Sequence, residues 1–181
     1  MGSLIKIDEF TVSSPLAEVI IGGGTGGSSG LNASIDSTYD VYQLVFSNFN
    51  PQTDVTNIRI RVTVSGSPDS SANYDYAGRY LAYATPFNWH SIGQTQFQGL
   101  GIGTNTGEVT NQVMYLYNFN NASEYSFITI EESARDAYGS QLGFQGGIVN
   151  TVIQACDGIQ FIQTSGNINT GSTFTLYGLQ K

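Results

Sequence analysis

The sequence predicts an all-β chain folded as a two-sheet antiparallel sandwich, of the jelly-roll kind by size and strand number, with a short N-terminal arm. Three observations carry this. Charged residues are 11% of the 181, against roughly 25% in a typical globular domain. In their place stand 22 glycines, 11 tyrosines and 10 phenylalanines, among many Thr, Ser and Asn, a mixture of turn formers with strand formers. No stretch keeps helical periodicity over three turns, whereas short alternating stretches recur between turn residues.

In chain order, residues 4–10 (Leu-Ile-Lys-Ile-Asp-Glu-Phe) read as a short strand or arm, and residues 17–21 as a strand. The run Gly22-Gly-Gly-Thr-Gly-Gly-Ser-Ser-Gly30 is flexible by composition and cannot pack a core. It lacks the Lys-Ser/Thr and the following helix of a phosphate-binding loop. Residues 1–30 are therefore expected as an N-terminal strand, arm and Gly-rich linker, and residues 31–181 as one sandwich with a single core. Residues 40–48 form a strand closed by Asn50-Pro51, since Pro disfavours helix before it. Residues 57–65 alternate most cleanly: Ile58, Ile60, Val62 and Val64 face one way, and Asn57, Arg59, Arg61 and Thr63 the other. That is the half-buried pattern of an antiparallel sheet. Arg59 and Arg61 hold two of the six basic charges on one exposed face, either solvated or meeting an acidic neighbouring subunit.

Residues 66–73 are turn-rich, and extended structure resumes over residues 74–84. Residues 86–93 read as irregular, and residues 97–103 as a strand. Residues 113–119 look apolar on both faces and are expected at the centre of a sheet. With residues 125–131, across the turn Asn120-Asn121-Ala122, they make the clearest hairpin. Residues 137–147 are Gly-rich. Residues 147–156, 159–164 and 172–179 complete eight to ten expected strands. In the last, Phe174 and Leu176 share one face and are expected in the core.

Six Lys and Arg and a net charge of −8 argue against nucleic-acid binding, which needs a basic face, and against docking on anionic membranes. The single cysteine, Cys156, allows no internal disulfide. It lies in an apolar run and is expected as a buried structural thiol. The N-terminus lacks a signal-peptide pattern, and no apolar run approaches the ~20 residues of a membrane span. The expectation is synthesis in a cytoplasm without secretion processing.

No stretch carries a catalytic signature. His90 is the only histidine, which excludes a His-based metal cluster. Beside Trp89 it reads as a loop or interface residue. Glu124, Glu131 and Glu132 read as surface carboxylates. Glu131 and Glu132 are adjacent, so on a strand they point to opposite faces and cannot form the carboxylate pair of a glycosidase. Asp69, Asn73 and Asp75 offer oxygen ligands, but not at EF-hand spacing. The aromatic set Tyr74, Tyr76, Tyr80, Tyr83, Phe87 and Trp89 reads first as sandwich core with a subunit interface. The alternative is a platform for sugar rings or proteins, since Tyr and Trp combine contact area with a polar tip. Interface or binding candidates are thus Tyr74, Tyr76, Tyr80, Trp89, His90, Arg59 and Arg61. No catalytic residue, metal or cofactor is assigned.

Several segments carry a resemblance. Residues 4–12 (Leu-Ile-Lys-Ile-Asp-Glu-Phe-Thr-Val), residues 37–46, the paired strands at 115–119 and 125–129, and the ending Gly158-Ile-Gln-Phe161, Ser165-Gly-Asn-Ile168 and Thr173-Phe-Thr-Leu-Tyr-Gly-Leu179 are similar to a group of bacteriophage virion structural proteins. These are common in phages of aquatic bacteria, including cyanophages. The similarity runs from residue 4 to residue 181, and the ending is its most specific part. The Gly-rich run at 22–30 looks like an expansion of a shorter turn. The resemblance implies a non-enzymatic particle component in the virion, assembled in the host bacterial cytoplasm. It would be a jelly-roll capsid decoration or cement protein, or else a tail fibre or baseplate module that recognises host surface glycan. It implies a homotrimer and partners among other phage structural proteins, the major capsid protein or tail proteins. No functional residue carries over, because the group offers no catalytic motif to match.

Overall fold

Alternation of apolar and polar residues, broken by Gly, Asn and Pro, builds short strands, and the apolar face of each must be covered. The computed structural model describes residues 2–23, 30–31, 33, 35–82 and 85–180. It forms two sheets packed face to face. The larger has eight strands, in the spatial order β1 (Ser3–Thr11), β14 (Thr173–Gln180), β4 (Val41–Phe49), β10 (Thr110–Tyr117), β11 (Ser126–Arg135), β12 (Gln141–Asn150), β7 (Tyr74–Ala82) and β8 (Phe87–Gln94). The smaller runs β3 (Gly30–Leu31), β2 (Glu18–Gly22), β13 (Gly158–Gln163), β5 (Thr56–Val64) and β6 (Ser67–Pro68), with β9 (Phe97–Ile102) also pairing β5. Every pairing is antiparallel except β2 with β3.

The expected all-β antiparallel sandwich is therefore what the chain forms. Its sheets are wider than the two halves of an eight-stranded jelly-roll, and β10, β11 and β12 follow one another as a meander within one sheet.

One register row organises the inner face of the larger sheet. Phe10, Phe174, Phe46, Gln112, Glu132, Phe144, Tyr80 and Phe87 are successive cross-strand partners over all eight strands. Cross-strand pairs are the unit of sheet stabilisation, so this row ties the whole width together. On one side of it Phe46 meets Phe161 of the smaller sheet edge-on at 5.5 Å, and Phe161 and Phe174 lie 5.0 Å apart. On the other, Trp89, Phe97 and Phe144 converge, with ring centroids 5.6–6.0 Å apart. Each such ring contributes roughly 1.5–3 kcal/mol by burial, and aromatic pairs about 0.5–1.5 kcal/mol more. Phe174 and Leu176 are fully buried, as their alternation predicts. Cys156 is buried too, and burial pushes its thiol up to about 11.

The structure corrects four expectations. Fourteen strands are present among the described residues, not eight to ten. Residues 86–93 are not irregular: β8 pairs β7, and its alternation, Phe87 and Trp89 inward against Asn88 and His90 outward, is masked by flanking Pro86 and Gly93. The glycines of residues 137–147 lie partly in a strand, because β12 begins at Gln141, and residues 151–157 are a loop instead. The segment ahead of the Gly-rich run is not a separate arm. It supplies β1 to one sheet and β2 to the other, and Val19 and Ile21 of β2 lie in the core. Residues 24–29 of the Gly-rich run fall outside the described residues.

Candidate interaction surface

Because side chains alternate, the residues between those of the inner rows face away from the smaller sheet. Two outward rows matter. Tyr177, Gln43, Tyr115, Thr129, Gly147, Ala77 and His90 are successive partners from β14 to β8. Val41, Tyr117, Phe127, Val149 and Asp75 run beside them from β4 to β7. Thr129, Gly147 and Ala77 project little or nothing, so the sheet surface dips there. Phe127, Val149, His90 and Ile92 rise around the dip, giving a shallow hollow of about 580 Å³. A second hollow of about 510 Å³ lies on the far side of Phe127, against Tyr125 and Ile153. Phe127 is thus a ridge between two hollows. Ile92 is 75% exposed, Ile153 58%, Phe127 44% and Tyr125 42%.

Scattered exposed apolar residues are ordinary, but a contiguous set marks a surface built to be covered. The charged groups lining these two hollows are Asp75 and Glu124. Asp75 Oδ1 accepts the Gly93 amide at 2.7 Å, which fixes the β-bulge where β8 leaves β7. The surface is thus mostly apolar, with two carboxylates at its margins.

The residues singled out from the sequence fall in three places. Tyr74 and Tyr76 are core. The Tyr74 hydroxyl accepts the Val62 amide at 3.1 Å and donates to the Asp69 carbonyl at 2.7 Å, and burial pushes its pKa up. Tyr76 lies edge-on to Trp89 and Phe97 at 5.0 and 5.2 Å. Tyr80 and Trp89 are half-buried and face inward; Phe87 stacks on Tyr80 at 4.7 Å with the rings 8° from parallel. Burial also raises the Tyr80 hydroxyl. Tyr83 lies outside the described residues. This aromatic set fills the open end of the sandwich with its faces turned on one another. His90 belongs to the outward surface, at the rim of the first hollow, which Tyr76 also lines.

Arg59 and Arg61 lie on the outer face of the smaller sheet, far from the hollows in the fold. The Arg61 guanidinium donates to Gln96 Oε1 at 2.8 Å and to the Thr95 carbonyl at 3.3 Å. Arg59 Nε is buried with no hydrogen-bond partner among the described residues. Asp69 is surrounded by donors, the Ser71 amide at 2.9 Å and the side-chain amides of Asn73 and Gln154 at 3.4 and 3.3 Å. Burial pushes its carboxyl up, but these donors outweigh burial and hold it below its ordinary value. A carboxylate so occupied braces the loop before β7 and leaves little for a cation. Glu132 is the one expected surface carboxylate that is buried; Glu131, beside it, points out.

Sequence reasoning missed Phe127, Ile92, Val149, Tyr125 and Ile153 as a surface. The alternation of residues 125–131 does put Phe127 on the same face as Thr129 and Glu131, which is the one available signal. Among known proteins, no family model matches the chain and no curated protein matches its sequence. What the fold defines is the class, an all-β two-sheet sandwich.

Proposed function

We propose that this chain is a non-enzymatic structural protein of a bacteriophage virion, a capsid decoration protein that stabilises the shell as a homotrimer. The observation that carries the reading is the Phe127 ridge with its two apolar hollows on the outer face of the larger sheet. A protein that works by covering and being covered needs such a surface, and stable contacts bury about 1,200–2,000 Å² in total. The resemblance of the β4, β10, β11 and β14 segments to virion proteins supplies the particle. The aromatic set proposed as a sugar platform is packed as core, so the surface favours a protein partner over a glycan.

Copy number per purified virion tests the proposal. Hundreds of copies, retained on heads after tails are removed, are expected. A few to tens of copies, found on detached tails, would move the protein to the fibre or baseplate reading and make glycan binding the next assay. Absence from washed particles overturns both.

A further inference from the structure

Gln112 and Glu132 stand at the middle of the inner row, directly paired between β10 and β11, with aromatic residues on either side. Both are buried, at 3% and 6% exposure. The Thr110 hydroxyl donates to Glu132 Oε1 at 2.9 Å. Glu132 Oε2 and Gln112 Oε1 have no hydrogen-bond partner among the described residues. Buried polar atoms are nearly always paired, and these two are both acceptors while the acid is ionised. Directly opposed residues have Cβ atoms about 4.5–5.5 Å apart, within reach of one another's side-chain ends. Two arrangements pair these atoms: a half-turn of the Gln112 amide, offering Nε2 to an ionised Oε2, or a single proton, with neutral Glu132 donating from Oε2 to Gln112 Oε1.

The surroundings favour that proton. β10 brings Thr110 and Gln112, β4 brings Phe46, and β12 brings Phe144. β7 brings Tyr80, whose neutral hydroxyl is the other titratable group that Glu132 influences. β9 lays its Gly99 backbone over the carboxyl, and a Cβ built there would stand 3.6 Å from Oε2 and equally near Ile58 of β5. None of these groups carries a charge.

We propose that Gln112 and Glu132 form a proton-held latch, an acid–amide hydrogen bond that closes the centre of the larger sheet beneath β9 and opens when Glu132 ionises. The latch does not depend on the virion reading. Burial pushes the carboxyl up to about 7 from an ordinary 4.5, with the Thr110 hydroxyl and the Leu100 backbone working the other way. A carboxyl raised in the fold holds its stabilisation in full below the unfolded value and loses it as pH rises through the folded one. The unfolding constant should rise about tenfold per pH unit between roughly pH 5 and 7, then level off.

The test is denaturant unfolding across that range, with the carboxyl carbon of Glu132 followed by NMR. Wild type is expected to weaken from pH 5 to 7, and Glu132→Gln, whose amide donates at every pH, to show no such slope. A His90→Gln variant run in parallel separates any contribution of the histidine from that of Glu132. The carboxyl should titrate near neutrality in wild type. In Gln112→Met, which removes the acceptor, its midpoint should move back toward the ordinary glutamate range. Parallel slopes in wild type and Glu132→Gln, or an ordinary midpoint in wild type, overturn the latch. So does a midpoint that Gln112→Met leaves unchanged, since the hydrogen bond would then add nothing to the effect of burial. The NMR titration of wild type stands even if a variant fails to fold.

Discussion

Gly78 and Gly146 sit opposite one another on β7 and β12, and the ring of Phe144 lies across both. A Cβ at Gly78 would fall 2.3 Å from Phe144 Cζ and 2.6 Å from the Gln145 carbonyl; at Gly146 it would fall 2.6 Å from the same ring atom. Neither position needs an unusual backbone angle; what each needs is space. Gly78→Ala should therefore destabilise by about 1–3 kcal/mol, as overpacking does, in urea unfolding. Gly101→Ala, whose Cβ would first meet the Asn57 side-chain amide at 3.4 Å, should stay within about 0.5 kcal/mol. The glycine count was plain in the sequence, but its reason was not, since glycines that leave room for a ring look like glycines that make a loop. Cys156 was legible: an apolar run around a lone thiol means burial. With its thiol pushed up to about 11, it should resist a thiol-reactive dye at pH 8 in the native state and label fully in denaturant. Rapid native labelling would contradict its placement.

Elements were legible in proportion to how cleanly they alternate. β5, β11 and β14 show their two faces in the residues themselves, and all three lie within a residue or a few of their expected bounds. β8 and β12 hide their period under Pro86, Gly93 and a glycine cluster. The two strands at the outer side of the larger sheet differ in what they hold. β14 lies between β1 and β4 and buries Phe174 and Leu176 completely. Among the described residues β1 pairs only β14, and it is exposed along most of its length. Ending the chain before Thr173 should abolish the cooperative unfolding transition and the β signal in circular dichroism. Removing residues 2–11 should leave a folded protein of lower melting temperature, because Ile7 and Phe10 are the residues of β1 that pack against the core. If both truncations melt alike, β14 is not the element that closes the sandwich.

Across the whole molecule, composition disclosed the class of fold, and pairing stayed hidden. Few charges and many strand formers predict sheets, but register joins residues far apart in sequence, as where Arg59 meets Ile162, and no local pattern encodes that. The surface was hidden for a related reason. Phe127 reads as one more alternating aromatic until the sheet is assembled and none of the described residues covers its outer side. A net charge of −8 makes most of the surface repel its own copies, so association should depend on the uncharged ridge. Phe127→Lys combined with Ile153→Lys should abolish concentration-dependent association in sedimentation while leaving the melting temperature within a few degrees. Association that persists in the double variant would remove the ridge from the assembly.

The register row has a last consequence, for time rather than strength. Phe46 is flanked on one side by Gln112 and on the other by Phe174, so the middle of the sheet is assembled from segments more than a hundred residues apart in the chain. Contacts that close such long loops come late and slowly, typically over milliseconds to seconds. Until β14 docks, β4 presents an unpaired edge beside a bare aromatic face, the kind of edge that recruits another chain. Refolding yield should therefore fall steeply with protein concentration, and the fold is most vulnerable before its final strand arrives.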